Sequence, residues 1–181
     1  MAATRLFSRA LIRVTPEEDG EDVVAFLQGL VTNDVTGKLP VWTGLLSPQG
    51  KCLFDFLVWP AREGLILDCE AEFADELIGH LSLYKLRRKI GFARDEGHGV
   101  FWERDPGLGG ADDPRLQGLG DRWLGPVSAE DEAADEAWLA HRLSLGVPEG
   151  RAEMGGILWL ECNAAELHGV SFDKGCYVGQ E

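Results

Sequence analysis

The residues best suited to chemistry lie in the stretch 173–181, DKGCYVGQE. A thiolate is the reactive form of cysteine, and a neighbouring cation lowers the thiol pKa. Lys174 stands two residues from Cys176, and the intervening Gly175 allows close backbone approach or a positive φ. Gly179 is a second permissive position. From the residues alone two readings of Cys176 stand: a reactive thiol, or a structural cysteine in a Gly-rich turn. His168, eight residues upstream, is a conceivable base for a Cys–His pair, although a lone loop histidine is more often simply solvated.

Two carboxylates form a second group. Asp55 interrupts the apolar run CLFDFLVW, where strand alternation sets Leu53, Asp55 and Leu57 opposite Phe54, Phe56 and Val58. A charged residue in such a run needs a partner or a purpose; Asp55 faces water on an edge strand or faces a ligand cavity. Glu161 follows ILWL directly, and a carboxylate at a strand end accepts two N–H donors from a planar heterocycle as readily as from arginine. Its more ordinary reading is a solvent-facing strand end. Trp42 lines a cavity or fills the core. Cys52, Cys69 and Cys162 lie in apolar runs and read as small core hydrophobes. With no C-x-x-C pair or Cys/His quartet, neither a zinc site nor a self-contained iron–sulfur site is expected.

Positioning such groups takes a folded core, and 181 residues with 45% hydrophobic content can build one without staples. The net charge of −14 argues against a general nucleic-acid binder, and no apolar run is long enough to span a bilayer. The densest positive patch, Lys85, Arg87, Arg88 and Lys89, is either a solvated helix C-terminus or an element that steers an anionic ligand. The start, MAATRLFSRALIRV, is Arg-rich and acid-free like a transit peptide, but reads as a first strand. A reducing compartment follows from the lack of a signal peptide, with the cytoplasm as the expected location.

The pattern predicts strands at RLFSRALIRVT, TGLLS, CLFDFLVW, GLILDCE and IGFARDE. Helices are predicted after Thr15-Pro16-Glu17-Glu18, which has the form of a capping box, and over AEFADELIGHLSLYKLRRK. This β-α-β-β-β-α-β order approaches a ferredoxin-like unit with one extra strand over residues 1–97. Residues 98–181 read as a second α+β unit, with a strand HGVFWE, a helix capped by Ser128 and a strand ILWLECN. The Gly-rich segment between them neither follows a strand nor opens a helix, so it is no nucleotide fingerprint.

Five stretches, AFLQGLVTNDV, LLSPQGKCLFDFLVW, LYKLRRKIGF, RLSLGVPEG and LECNAAELHGVSFDKGCYVGQE, occur in the order found in the YgfZ-type folate-binding proteins. These are relatives of the aminomethyltransferase (T-protein) of the glycine cleavage system. The chain resembles them over most of its length, least over about 98–128. The resemblance implies two packed α/β-sandwich units around a cavity for tetrahydrofolate or a one-carbon derivative. It also implies a role in making or repairing iron–sulfur clusters, with folate and client iron–sulfur enzymes as partners. Asp55 falls where T-proteins carry the aspartate facing the folate, Glu161 where they bond the pterin, and Trp42 matches a cavity aromatic. Lys174, Gly175, Cys176, Tyr177, Gly179, Gln180 and Glu181 match the YgfZ signature, with Cys176 its key residue. Relatives continue past this motif into a small β-domain, so the chain is expected to be truncated there. In a eukaryote the expected location becomes the mitochondrial matrix. The alternatives implied are an aminomethyltransferase-like one-carbon transferase and a plain thiol-redox scaffold.

Overall fold

The computed structural model describes residues 4–105 and 109–180; Glu181 of the terminal motif lies outside the described residues. The strands are β1 (Thr4–Leu6), β2 (Arg9–Pro16), β3 (Val41–Leu46), β4 (Cys52–Pro60), β5 (Leu65–Glu70), β6 (Ile90–Arg94), β7 (His98–Glu103), β8 (Ala111–Asp112), β9 (Asp121–Pro126) and β10 (Glu132–Ala133). The helices are α1 (Val23–Gln28), α2 (Ala74–Lys85), α3 (Asp135–Ser144) and α4 (Arg151–Met154).

The first sheet has the order β3-β4-β5-β2-β6 and is antiparallel throughout. Taken as β2-α1-β4-β5-α2-β6 it is the ferredoxin-like arrangement, with β3 added at the edge beside β4. The α+β class and the ferredoxin-like first unit are as the sequence implied. Alternation along β4 turns Phe54, Phe56 and Val58 toward α1 and α2, where they pack with Val23, Phe26, Leu27, Leu77 and Leu81. The opposite face carries Leu57 and Trp59 into the layer between the two sheets.

The second sheet has the order β10-β1-β7-β9-β8. The single strand expected over RLFSRALIRVT is therefore two. β1 pairs with β7, β2 pairs with β5 and β6, and the chain changes sheets at Phe7–Ser8. Both turn amides donate to the Asp135 carboxylate, at 3.0 and 2.8 Å. Leu6, Leu11, Trp42, Leu57, Val100, Trp102, Trp138 and Trp159 fill the space between the sheets.

Three local expectations need correction. β2 runs through Pro16, so Thr15 caps nothing; α1 is capped by Asp22, whose Oδ1 accepts the Ala25 amide at 2.9 Å. α3 begins at Asp135 instead of near Ser128, because residues 132–133 are taken by β10 as the parallel partner of β1. ILWLECN makes only one bridge, Lys51 to Leu158, and then coils into a 3-10 turn, Trp159–Cys162. Trp159 is buried and Asn163 takes a left-handed conformation with φ 57°, so the backbone turns over its own indole instead of extending. No helix among the described residues is long and apolar enough to cross a membrane.

Candidate functional site

Of the four cysteines, Cys52, Cys69 and Cys162 are buried and Cys176 is exposed. Burial pushes the three buried thiols up, Cys69 to about 12, which keeps them protonated and inert.

The loop carrying Cys176 is held by hydrogen bonds before the cysteine and by close packing after it. On its N-terminal side the Ser171 amide donates to the Thr32 carbonyl at 3.0 Å, and Thr32 Oγ1 donates to the Gly169 carbonyl at 2.7 Å. Asn33 Nδ2 donates to the carbonyls of Trp42 and His168, at 2.8 and 2.7 Å. Lys174 Nζ donates to the carbonyls of Gln28 and Asn33, at 2.6 and 3.1 Å, and to that of Val31. Burial pushes the Lys174 ammonium down to about 8, and Asp34 partly offsets this. On the C-terminal side Gly179 has φ 82°, and a Cβ there would stand 2.3 Å from the Ser47 carbonyl oxygen. Gly179 thus meets both requirements of a glycine, a left-handed backbone and close approach. Gly175, expected to be the special position, has neither positive φ nor any crowding neighbour.

Beyond Cys176 the motif meets Glu161. Leu46, Gln49, Gly50, Trp159, Glu161 and Tyr177, with Gly179 and Gln180, enclose a groove of about 200 Å³. The Glu161 carboxylate is exposed, on the 3-10 turn whose Trp159 side chain points inward. The structure therefore brings Glu161 against Tyr177, Gly179 and Gln180 of the motif that begins twelve residues after it.

Asp55 and Trp42 sit one layer deeper. Trp42 is fully buried and packs on Trp159 with ring centroids 4.7 Å apart. Its Nε1 donates to Asp55 Oδ2 at 3.1 Å, and the Gly150 amide donates to Oδ1 at 3.1 Å. Burial pushes the Asp55 carboxyl up, opposed by Arg9. Neither residue lines the groove; they support the indole that does. Gly169 makes this stacking possible, since a Cβ there would stand 2.6 Å from the Trp42 ring.

Behind Asp55 lies a buried ion network that the sequence reading missed. Asp68 accepts from Arg9 Nε at 2.7 Å and from Arg122 Nη1 at 2.8 Å. Arg115 is bidentate to Asp113 at 2.9 and 2.7 Å and donates to Glu149 at 2.8 Å. Trp138 Nε1 also donates to Glu149, at 2.9 Å. Burial alone would push the Glu149 carboxyl up; Arg9, Arg115 and Arg122 outweigh it and hold it well below the usual carboxylate range. Part of the signal was there: Asp68 stands inside the apolar run LILDCE, as Asp55 stands inside its own.

Two other candidates lie elsewhere. The His168 ring hydrogen-bonds through Nδ1 to the Arg115 carbonyl at 3.3 Å. The basic patch borders a separate cavity between α1 and the end of α2. Its charge is partly spent: Lys85 pairs with Glu17 at 3.3 Å and Arg88 with Glu21 at 2.5 Å.

No protein-family model matches the chain. Over 99% of its length it is 32% identical to the human iron–sulfur cluster assembly factor IBA57, mitochondrial, and covers 61% of that protein. Over 98% of its length it is 30% identical to the mitochondrial IBA57 homologue of Neurospora crassa, covering 48% of it. The Dictyostelium discoideum homologue is 30% identical over 97% of the chain, with 57% covered. The chain thus spans about half to three-fifths of the length of these relatives. Among solved structures, the glycine cleavage system aminomethyltransferase T of Bartonella henselae aligns with a TM-score of 0.44 and 18% identity, over 55% of this chain and 28% of that one.

Proposed function

We propose, from homology to iron–sulfur cluster assembly factors, that this chain serves the assembly or repair of iron–sulfur clusters by presenting the Cys176 thiol to a protein partner. The supporting observation is that Cys176 is exposed on a loop bonded to Thr32 and to the exit of α1 and packed at Gly179 against the Ser47 carbonyl, while the other three thiols are buried. Such clusters are held by several thiolates. The described residues hold no group of three or more His, Cys, Asp or Glu able to bind a metal ion. One exposed cysteine supplies one ligand, and the partner, a client enzyme or another assembly protein, supplies the rest.

The same reading gives the Glu161 groove to the pterin of a tetrahydrofolate. A groove of about 200 Å³ is below the size of a whole-ligand pocket and suits one ring system, leaving the rest of the molecule outside. Its chemistry fits: the Glu161 carboxylate accepts N–H donors, Gln49 and Gln180 offer amides, and Trp159 and Tyr177 offer apolar ring surface. Bound tetrahydrofolate would supply a reduced pterin able to carry a one-carbon unit. Asp55 acts from beneath, holding Trp42 against Trp159. In a eukaryotic source the compartment we infer is the mitochondrial matrix, the relatives' names giving them as mitochondrial; in a bacterium it is the cytoplasm.

The test is the activity of client iron–sulfur enzymes in cells that rely on this chain. Cys176→Ser should lower it to the level of the deletion, whereas undiminished activity would remove the thiol from the mechanism.

A further inference from the structure

The Lys174 ammonium has three N–H donors, and three backbone carbonyls take them: those of Gln28, Val31 and Asn33. Gln28 ends α1, and the last carbonyls of a helix lack partners within it. α1 has no basic residue in its own last turn. Lys174 supplies the missing cation from 146 residues away, where it also suits the helix dipole. Asp34 adds an attractive charge; its carboxylate is itself held by Gln28 Nε2 at 3.0 Å and the Thr36 amide at 2.9 Å. The Tyr177 ring centroid lies 5.3 Å from Nζ. With every N–H committed to a carbonyl, Lys174 has none left to donate to a thiolate.

We propose that Lys174 is a positioning residue for Cys176: it clamps the thiol loop to the exit of α1 and so fixes where the sulfur sits, instead of activating the sulfur by its charge. Between the Ser171–Thr32 bond and the seat of Gly179 on the Ser47 carbonyl, the clamp is the fastening nearest the cysteine. Gly175, the one residue between them, is uncrowded and contributes no hold of its own. The clamp stands on geometry alone; its importance for function rests on the thiol reading above.

The experiment attaches a nitroxide to Cys176 of the full chain, the other cysteines being buried, and records spin-label mobility. The unmodified chain should give an immobilised spectrum. Lys174→Ala should mobilise the label several-fold at unchanged helix content, and n-propylammonium, which replaces the deleted atoms, should restore order where tetramethylammonium does not. In parallel, the pH midpoint of iodoacetamide alkylation of Cys176 should be the same in both proteins. A label equally mobile in both, or mobile without rescue by propylammonium, overturns the clamp. A midpoint raised in Lys174→Ala overturns it too, by assigning the effect to charge. None of these readouts uses iron–sulfur activity. If the clamp is found and Cys176→Ser still supports client enzymes, the functional reading fails and the clamp stands.

Discussion

Trp42 donates its indole N–H to Asp55 at 3.1 Å and stacks on Trp159, so a buried carboxylate sets the height of a groove it never touches. Cys176 and Glu161 are exposed groups on short irregular segments, and each segment is secured by bonds to the rigid first sheet or to α1.

A thiol reagent should resolve the four cysteines into one fast and three slow. Cys176 reacts in the native protein, while Cys52, Cys69 and Cys162, buried with raised thiol pKa values, wait for unfolding. Cys176→Ser should erase the fast phase, and stopped-flow absorbance with a chromogenic disulfide measures both.

Glu161→Gln should weaken tetrahydrofolate binding about 10- to 100-fold, because a hydrogen bond to a charged group contributes about 1.5–3 kcal/mol. The side chain is exposed, so stability should change by less than about 0.5 kcal/mol. Quenching of the six tryptophans reads the affinity and thermal melting reads the stability.

Glu149→Gln should cost about 3–5 kcal/mol, because Arg115 and Arg122 lose a buried anion. The Glu149 carboxyl lies well below its unfolded value of 4.5. Its contribution is thus complete above that value and disappears as pH falls through the native one. Urea midpoints between about pH 3 and 7 should fall on acidification in the unmodified protein, and less steeply in the variant.

Gly179→Ala should destabilise by more than the ~1–2 kcal/mol of a left-handed L-residue, since the new methyl also meets the Ser47 carbonyl. The loop must then lift, opening the groove between Gly50 and Tyr177. The expected readouts are a lower melting temperature and weaker pterin binding together. By contrast Gly175→Ala, at an uncrowded position, should be nearly silent.

The first sheet was legible because β3, β4 and β5 are short apolar runs bounded by Gly and Pro turns and buried on both faces, and α1 and α2 carry helical spacing at Val23, Phe26, Leu27, Leu77 and Leu81. What escaped was set by tertiary partners. The break at Phe7–Ser8 depends on Asp135, the turn at Trp159 on the space left by Gly169, and β10 on β1. At the site, the residue types pointed to Cys176 and Glu161, but their neighbours could not be read. Lys174 stands two residues from the cysteine in sequence, while its bonds reach back to the exit of α1; Asp55, read as facing water or a ligand cavity, accepts the Trp42 indole N–H inside the fold. Local spacing names candidates, while long-range packing decides what each one touches.

The crossing at Phe7–Ser8 stitches the molecule like a seam. β1 and β2 are consecutive in the chain but belong to opposite sheets, so no cut between β6 and β7 yields two complete pieces. An amino-terminal piece would carry an orphaned strand, and its counterpart would lack the strand that bridges β7 and β10. The two layers are thereby committed to melting as one cooperative unit, and a ligand gripping either layer would brace both.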